Sequence, residues 1–376
     1  MTDDKTPLPS RLAAARSLVL TLGLGSFGGL LFAWLHLPLA WMVGAMATTA
    51  GAAVLRLPVR IPVFLRNAMM VVLGILLGSN FTPILLEAAR AWAVPVAGLV
   101  GAVLVAMGLC RWSLRGYRAV DPVSAGLIAV PGGLTEMVIL SGELGGNVPL
   151  VALVHSLRIL LVVALIALVL KGLSVPILTT FPALGSGWGW SAHDALWLGL
   201  AGAAAPLAQR LRFPTAFLLG PLLVSAGAHS GGLTAVAPPP LAVVAAQVVV
   251  GAAIGCRFAG IRRELLLWAG VLALHVTLIT LVVAAAAAAL VAFLTSRPFL
   301  AVMLAYAPGG VAEMSLAALA LQVDVAFVTA HHLIRILLVL FIGQTFRFRK
   351  RRWISKASGE GAEGRPEPAS ADCRRL

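Results

Sequence analysis

Charged residues make up only 11% of this 376-residue sequence, and acidic ones are the scarcer kind: 14 Asp and Glu against 28 Lys and Arg. Soluble domains average about 25% charged residues. The shortage therefore excludes an ordinary soluble protein and a charge-rich disordered chain. Cysteine is almost missing. Cys110, Cys256 and Cys373 form no CxxC and no paired spacing, so neither a disulfide framework nor a metal site follows. No GxxxxGK[ST], GxSxG or HExxH is present, which argues against a phosphate-loop ATPase, a serine hydrolase and a zinc enzyme. Short alternating segments of the β-barrel kind are also lacking.

What the sequence has instead is apolar length. It is 60% hydrophobic, its mean hydropathy is +0.99, and runs near 20 residues recur throughout. This predicts an all-α, polytopic integral membrane protein embedded in a lipid bilayer. The net charge of +14 sits in loops and tails between apolar runs. That is the positive-inside pattern and predicts no direct contact with nucleic acid. The first apolar run, after Arg11 and Arg16, could pass for a signal peptide. It has a counterpart later in the chain, so it is expected to be retained.

That counterpart belongs to an internal duplication. Residues 131–137 read PGGLTEM and 308–314 read PGGVAEM, an offset of 177. The same offset carries His155-Ser-Leu-Arg158-Ile-Leu-Leu-Val onto His332-Leu-Ile-Arg335-Ile-Leu-Leu-Val, and VVLGILLGSNF (71–81) onto VVVGAAIGCRF (248–258). LPLAWMVG (37–44) matches FPTAFLLG (213–220) at offset 176. Four blocks in the same order set the architecture. The expected organisation is a cytoplasmic N-terminal segment (1–16), a first membrane repeat (17–171), a linker (172–193), a second repeat (194–346), and a basic, then disordered, cytoplasmic tail (347–376).

Each repeat holds six apolar segments: 17–35, 38–55, 63–79, 92–110, 123–142 and 148–171, then 194–210, 214–230, 240–257, 264–294, 298–321 and 325–346. The fifth contains Pro131-Gly132-Gly133 or Pro308-Gly309-Gly310. Proline removes a donor and glycine weakens helix, so this segment is either kinked or discontinuous and re-entrant. A broken backbone must face protein or a polar cavity. Basic clusters fall on opposite sides of equivalent segments in the two halves. The repeats are therefore expected to be inverted, with five crossings each, about ten in all, and both termini cytoplasmic. Trp188 and Trp190 in the linker suit a membrane interface.

Ionisable residues at membrane depth default to functional hypotheses. Glu136 and Glu313 follow the two breaks. His155 and Arg158, and likewise His332 and Arg335, share one face of the next helix. With Gly132, Gly133, Gly309 and Gly310 they form the candidate solute- or ion-binding set. The alternative is a structural Glu–Arg pair pinning each broken segment. Asn147 and Asp324 read as helix caps, and the GxxxG pairs Gly74/Gly78 and Gly251/Gly255 as close helix contacts. No catalytic residue, metal or cofactor is assigned.

The duplicated PGG-x-x-EM followed by H-x-x-R-I-L-L-V resembles the AbrB duplication family of Gram-negative membrane proteins, over about residues 17–346. The labels carried by that family are transcriptional regulator and ammonia monooxygenase. The first implies a membrane location and regulation of gene expression, without a DNA-binding fold. The second would need copper or iron ligands that this sequence does not offer. The expected function is an inner-membrane secondary transporter or permease for an unidentified small polar or charged solute. The alternatives are a membrane-embedded regulator acting through a partner and, by label alone, ammonia oxidation. Homo-oligomerisation is left open.

Overall fold

The computed structural model of the chain describes residues 11–83, 89–172 and 191–360. Trp188 and Trp190, with most of the expected linker, lie outside the described residues. Fourteen α-helices and no strand occur among those described. In chain order they are α1 Arg11–Trp34, α2 Ala40–Val54, α3 Val63–Gly78, α4 Ala93–Leu114, α5 Pro122–Ala129, α6 Leu134–Leu144 and α7 Val148–Gly172. They continue with α8 Ala192–Arg210, α9 Ala216–Ser230, α10 Pro240–Gly255, α11 Arg263–Thr295, α12 Phe299–Tyr306, α13 Val311–Ala320 and α14 Val325–Glu360.

The chain is an all-helical membrane protein. Among the described residues, six helices are long and apolar enough to cross a bilayer: α1, α4, α7, α10 with its following turn, α11 and α14. Helices α2, α3 and α9, at 15 or 16 residues, reach about 23 Å, short of a core about 30 Å thick. Their short reach is offset by burial. Met42, Met46, Leu73, Leu77, Leu218 and Leu222 are almost wholly buried between them.

Those helices cross-link the two halves of the sequence. Helix α3 rests on α9, and α10 rests on α2. The GxxxG glycines make both contacts. A Cβ on Gly74 would fall 2.5 Å from the Leu218 carbonyl, and one on Gly251 would collide with the Met42 carbonyl. Neither position has room for a larger residue, as expected where two backbones touch. Two side chains fasten the same joints. Ser225 Oγ donates to the Ile75 carbonyl (2.9 Å), and Thr49 Oγ1 donates to the Ala252 carbonyl (3.4 Å).

Loop conformation repeats as well. Leu39 (φ 55°) before α2 and Thr215 (φ 43°) before α9 both sit in the left-handed region. Asn147 Oδ1 accepts from the Leu150 amide (3.0 Å) and Asp324 Oδ1 from the Phe327 amide (2.9 Å), so both residues cap the final helix of their half. The basic run expected from residue 347 continues α14, which extends to Glu360. Its Arg, Lys and Ala are good helix formers, and the cluster holds no early proline.

Candidate functional site

The fifth apolar segment of each half is discontinuous rather than kinked. Helix α5 ends at Val130 (ψ 123°), and α6 begins after Gly133 (ψ 133°). Helix α12 ends at Ala307 (ψ 139°), and α13 begins after Gly310 (ψ 160°). Pro131 and Pro308 cause this locally. Each lacks an amide donor, and each drives the preceding residue into extended backbone. The last carbonyls of α5 and α12 then lose their helical partners, which is costly away from water.

The following helix supplies replacements. His155 Nε2 meets the Leu127 carbonyl at 3.1 Å, while Arg158 donates to the Val130 and Gly132 carbonyls, both at 3.2 Å. In the second half His332 Nε2 meets the Leu304 carbonyl at 3.0 Å, and Arg335 donates to the Ala307 and Gly309 carbonyls. All four side chains are buried. Arg158 also donates to His155 Nδ1 at 2.9 Å. This assigns the proton of a neutral ring to Nε2, where it can reach the carbonyl. The shared His/Arg face was legible from the spacing. Its carbonyl partners, 28 and 26 residues upstream, were not.

The glutamates do something different. Each is the third residue of its half-helix and folds back over the preceding glycine. A Cβ on Gly133 would strike Glu136 Oε2, and one on Gly310 would strike Glu313 Oε2. A carboxylate there faces the positive end of its own helix. Glu313 lies within electrostatic reach of Arg257 and Arg335. Neither Glu136–Arg158 nor Glu313–Arg335 is an ion pair within 4.0 Å among the described residues. The segments are thus pinned, but through carbonyls rather than Glu–Arg pairs.

Both breaks face one cavity of about 260 Å³. Gly132, Gly133, Glu136 and Arg158 line it from the first half, and Gly309, Gly310, Glu313 and Arg335 from the second. His155 and His332 stand behind their arginines and do not line it. Further wall comes from the start of α3 (Arg66, Asn67), the start of α9 (Thr215–Leu218), and the end of α10 with the turn after it (Val250, Ile254, Arg257). Leu218, Val250 and Ile254 in this wall and their repeat counterparts Met42, Leu73 and Leu77 are alike buried in the hydrophobic core, but the counterparts do not line this cavity.

Arg66 and Arg257 are the site residues that the sequence did not single out. Both read as topology-setting loop charges. Arg66 in fact lies in the first turn of α3, and Arg257 in the 3₁₀ turn after α10. The available signal was asymmetry, since their repeat counterparts are Val243 and Asn80. Two further polar residues do not line the cavity: Asn80 donates to the Leu76 carbonyl of α3 (2.8 Å), and the His331 ring packs at a tilt against Phe327 with centroids 4.0 Å apart.

Comparison with known proteins adds a family. The family described as "Transition state regulatory protein AbrB" matches residues 41–349. A Bacillus subtilis (strain 168) protein named "Uncharacterized protein YhjN" is 27% identical over 363 residues, spanning 85% of this chain and 89% of that protein. An Escherichia coli (strain K12) protein named "Putative regulator AbrB" is 26% identical over 336 residues, spanning 87% and 92%. A match over most of the chain, on a duplicated helical framework built around two Pro-Gly-Gly breaks, places this protein in the AbrB family.

Proposed function

We propose that the protein is a secondary transporter or permease for a small polar or charged solute, with the cavity between the two breaks as its binding site. The observation that carries this is the shared cavity itself: two broken helices, one from each half, present glycine backbone and ionisable side chains to one space. Paired broken helices around a common site are the usual build of secondary transporters. In this reading the halves are inverted repeats in the bacterial inner membrane, with both termini cytoplasmic. Positive-inside bias then puts Arg66 and Arg257, and with them their end of the cavity, on the cytoplasmic side. Outward opening would exchange roles. The α9–α10 wall would close, while Leu39, Met42, Leu73 and Leu77 would part.

The test combines topology and flux. Reporter fusions after Arg118 and Arg263 should both read cytoplasmic. Vesicles containing the purified protein should carry a small charged solute, and solid-supported-membrane currents across a panel of carboxylates and amines would detect it. A second reading, a membrane-embedded regulator acting through a partner, draws on the name of the Escherichia coli relative. A deletion that alters gene expression, together with silence across the whole solute panel, would select that reading over transport.

A further inference from the structure

We infer that the cavity binds a small oxyanion of the carboxylate type, held by Arg66 and Arg257. This rests on the transporter reading for its physiological meaning, while its support is the pairing of charges around the cavity. Four arginines and two glutamates line that space. Most are already engaged. Arg158 and Arg335 are bonded to the carbonyls of the breaks. Glu136 and Glu313 fold over the first turns of their own half-helices, although Glu136 Oε2 is itself buried without a hydrogen-bond partner.

Arg66 and Arg257 are what remains. The bond the Arg66 guanidinium makes is to its neighbour's amide, Asn67 Oδ1, at 3.2 Å. Arg257 takes part in neither ion pair found among the described residues. It lies within electrostatic reach of Arg66, which repels it, and of Glu313, which stands beyond pairing distance. Two half-buried cations therefore line a membrane-embedded cavity without a bonded carboxylate. Buried charge of one sign calls for a counter-charge. A guanidinium fork matches a planar carboxylate or a phosphate oxygen pair.

Arg158 lines the same cavity and is almost wholly buried, and its Nε is buried without a hydrogen-bond partner. The amino-terminal ends of α6 and α13 border the cavity through Gly133 and Gly310, but each is already faced by its own glutamate, which leaves the arginines as the anion-binding groups. Size sets the class. A volume of about 260 Å³ is below the usual range for drug-sized ligands, so the anion is small.

Calorimetric titration of the detergent-solubilised full chain tests this at fixed ionic strength. The probes are sodium acetate, sodium succinate, sodium phosphate and methylammonium chloride, each with and without added phosphatidylglycerol. The expected result is saturable binding of at least one soluble oxyanion. Arg66→Gln and Arg257→Gln should each weaken it at least tenfold, and the double variant should abolish it. Neither side chain holds a break carbonyl, so the melting temperatures should change little. Should a Gln variant fail to fold, Arg66→Lys and Arg257→Lys keep the charge but lose the fork, and each should still weaken binding severalfold.

Methylammonium binding in place of an oxyanion, no binding by any probe, or oxyanion binding unchanged in the double variant would overturn the inference. Displacement of the oxyanion by phosphatidylglycerol alone would assign the site to a lipid headgroup and overturn the soluble-ligand inference too. Flux separates the two readings. Oxyanion binding without vesicle flux removes transport and leaves the site. Amine flux without oxyanion binding removes the site and leaves transport.

Discussion

Arg158 and Arg335 reach back over the same stretches of chain, 28 and 26 residues, to close equivalent gaps in the backbone. Arg66 and Arg257 face the same cavity, yet their repeat counterparts are Val243 and Asn80. The two halves therefore agree where a helix must be interrupted and differ in the further charges that line the cavity. Agreement follows from a structural need that each half meets separately, because a break at Pro-Gly-Gly strands carbonyls wherever it occurs. Difference is possible because the cavity is shared, so a charge supplied once serves both halves. Repetition in this chain marks how the scaffold is held, and departure from repetition marks what is particular to the cavity.

The most severe way to break the comparison is to remove a guanidinium from one break. Arg158→Met leaves the Gly132 carbonyl unmet, while the Val130 carbonyl keeps the Gly132 amide at 2.8 Å; Arg335→Met leaves both the Ala307 and the Gly309 carbonyls unmet. An unsatisfied buried carbonyl costs about 1–3 kcal/mol, so denaturant titration in detergent should show a loss of about 2–6 kcal/mol of unfolding free energy for Arg335→Met and a smaller one, about 1–3 kcal/mol, for Arg158→Met. Adding Glu136→Gln to Arg158→Met should not restore stability, because Glu136 is not the arginine's partner. Recovery in that double variant would reinstate the Glu–Arg pair as the element pinning the segment.

A smaller effect is expected at the crossed helices. Gly74→Ala pushes a methyl into the Leu218 carbonyl and Gly251→Ala into that of Met42. Overpacking of this kind costs about 1–3 kcal/mol, and thermal melts should show comparable losses for both. If only one position responded, the α3–α9 and α2–α10 joints would not be equivalent.

Much of this framework is local and so is legible in the sequence. Apolar runs give the helices, Pro-Gly-Gly gives the breaks, and Asn147 and Asp324 sit where caps belong. Spacing alone could not say what His155 and Arg158 bond to, because their partners lie a helix away and form no motif. Nor could it say that Gly74 and Gly251 each touch the other half, since GxxxG names a close contact but not its partner. Arg66 and Arg257 were obscured for another reason. Basic residues beside apolar runs have a sufficient explanation in membrane topology, and only folding shows that these two line the cavity.

The mildest test concerns the caps, where the halves are nearly but not wholly alike. Asn147 and Asp324 each accept one amide of the following turn, at 3.0 and 2.9 Å. Truncating such a cap costs about 1 kcal/mol, so Asn147→Ala should lower stability by about that much. Asp324 carries a charge as well and faces Arg297 at 3.7 Å, and that guanidinium lies 4.7 Å from the centre of the Phe327 ring. The pair is partly exposed, which limits its worth to about 0.2–1 kcal/mol. Asp324→Ala should therefore cost slightly more than Asn147→Ala, while Asp324→Asn, which keeps the cap and drops the charge, should cost less than either. Salt separates the two contributions: raising ionic strength should shrink the gap between Asp324→Ala and Asn147→Ala and leave the cost of Asn147→Ala unchanged. If that gap were insensitive to salt, the extra loss at Asp324 would come from the contacts around Phe327 rather than from its charge.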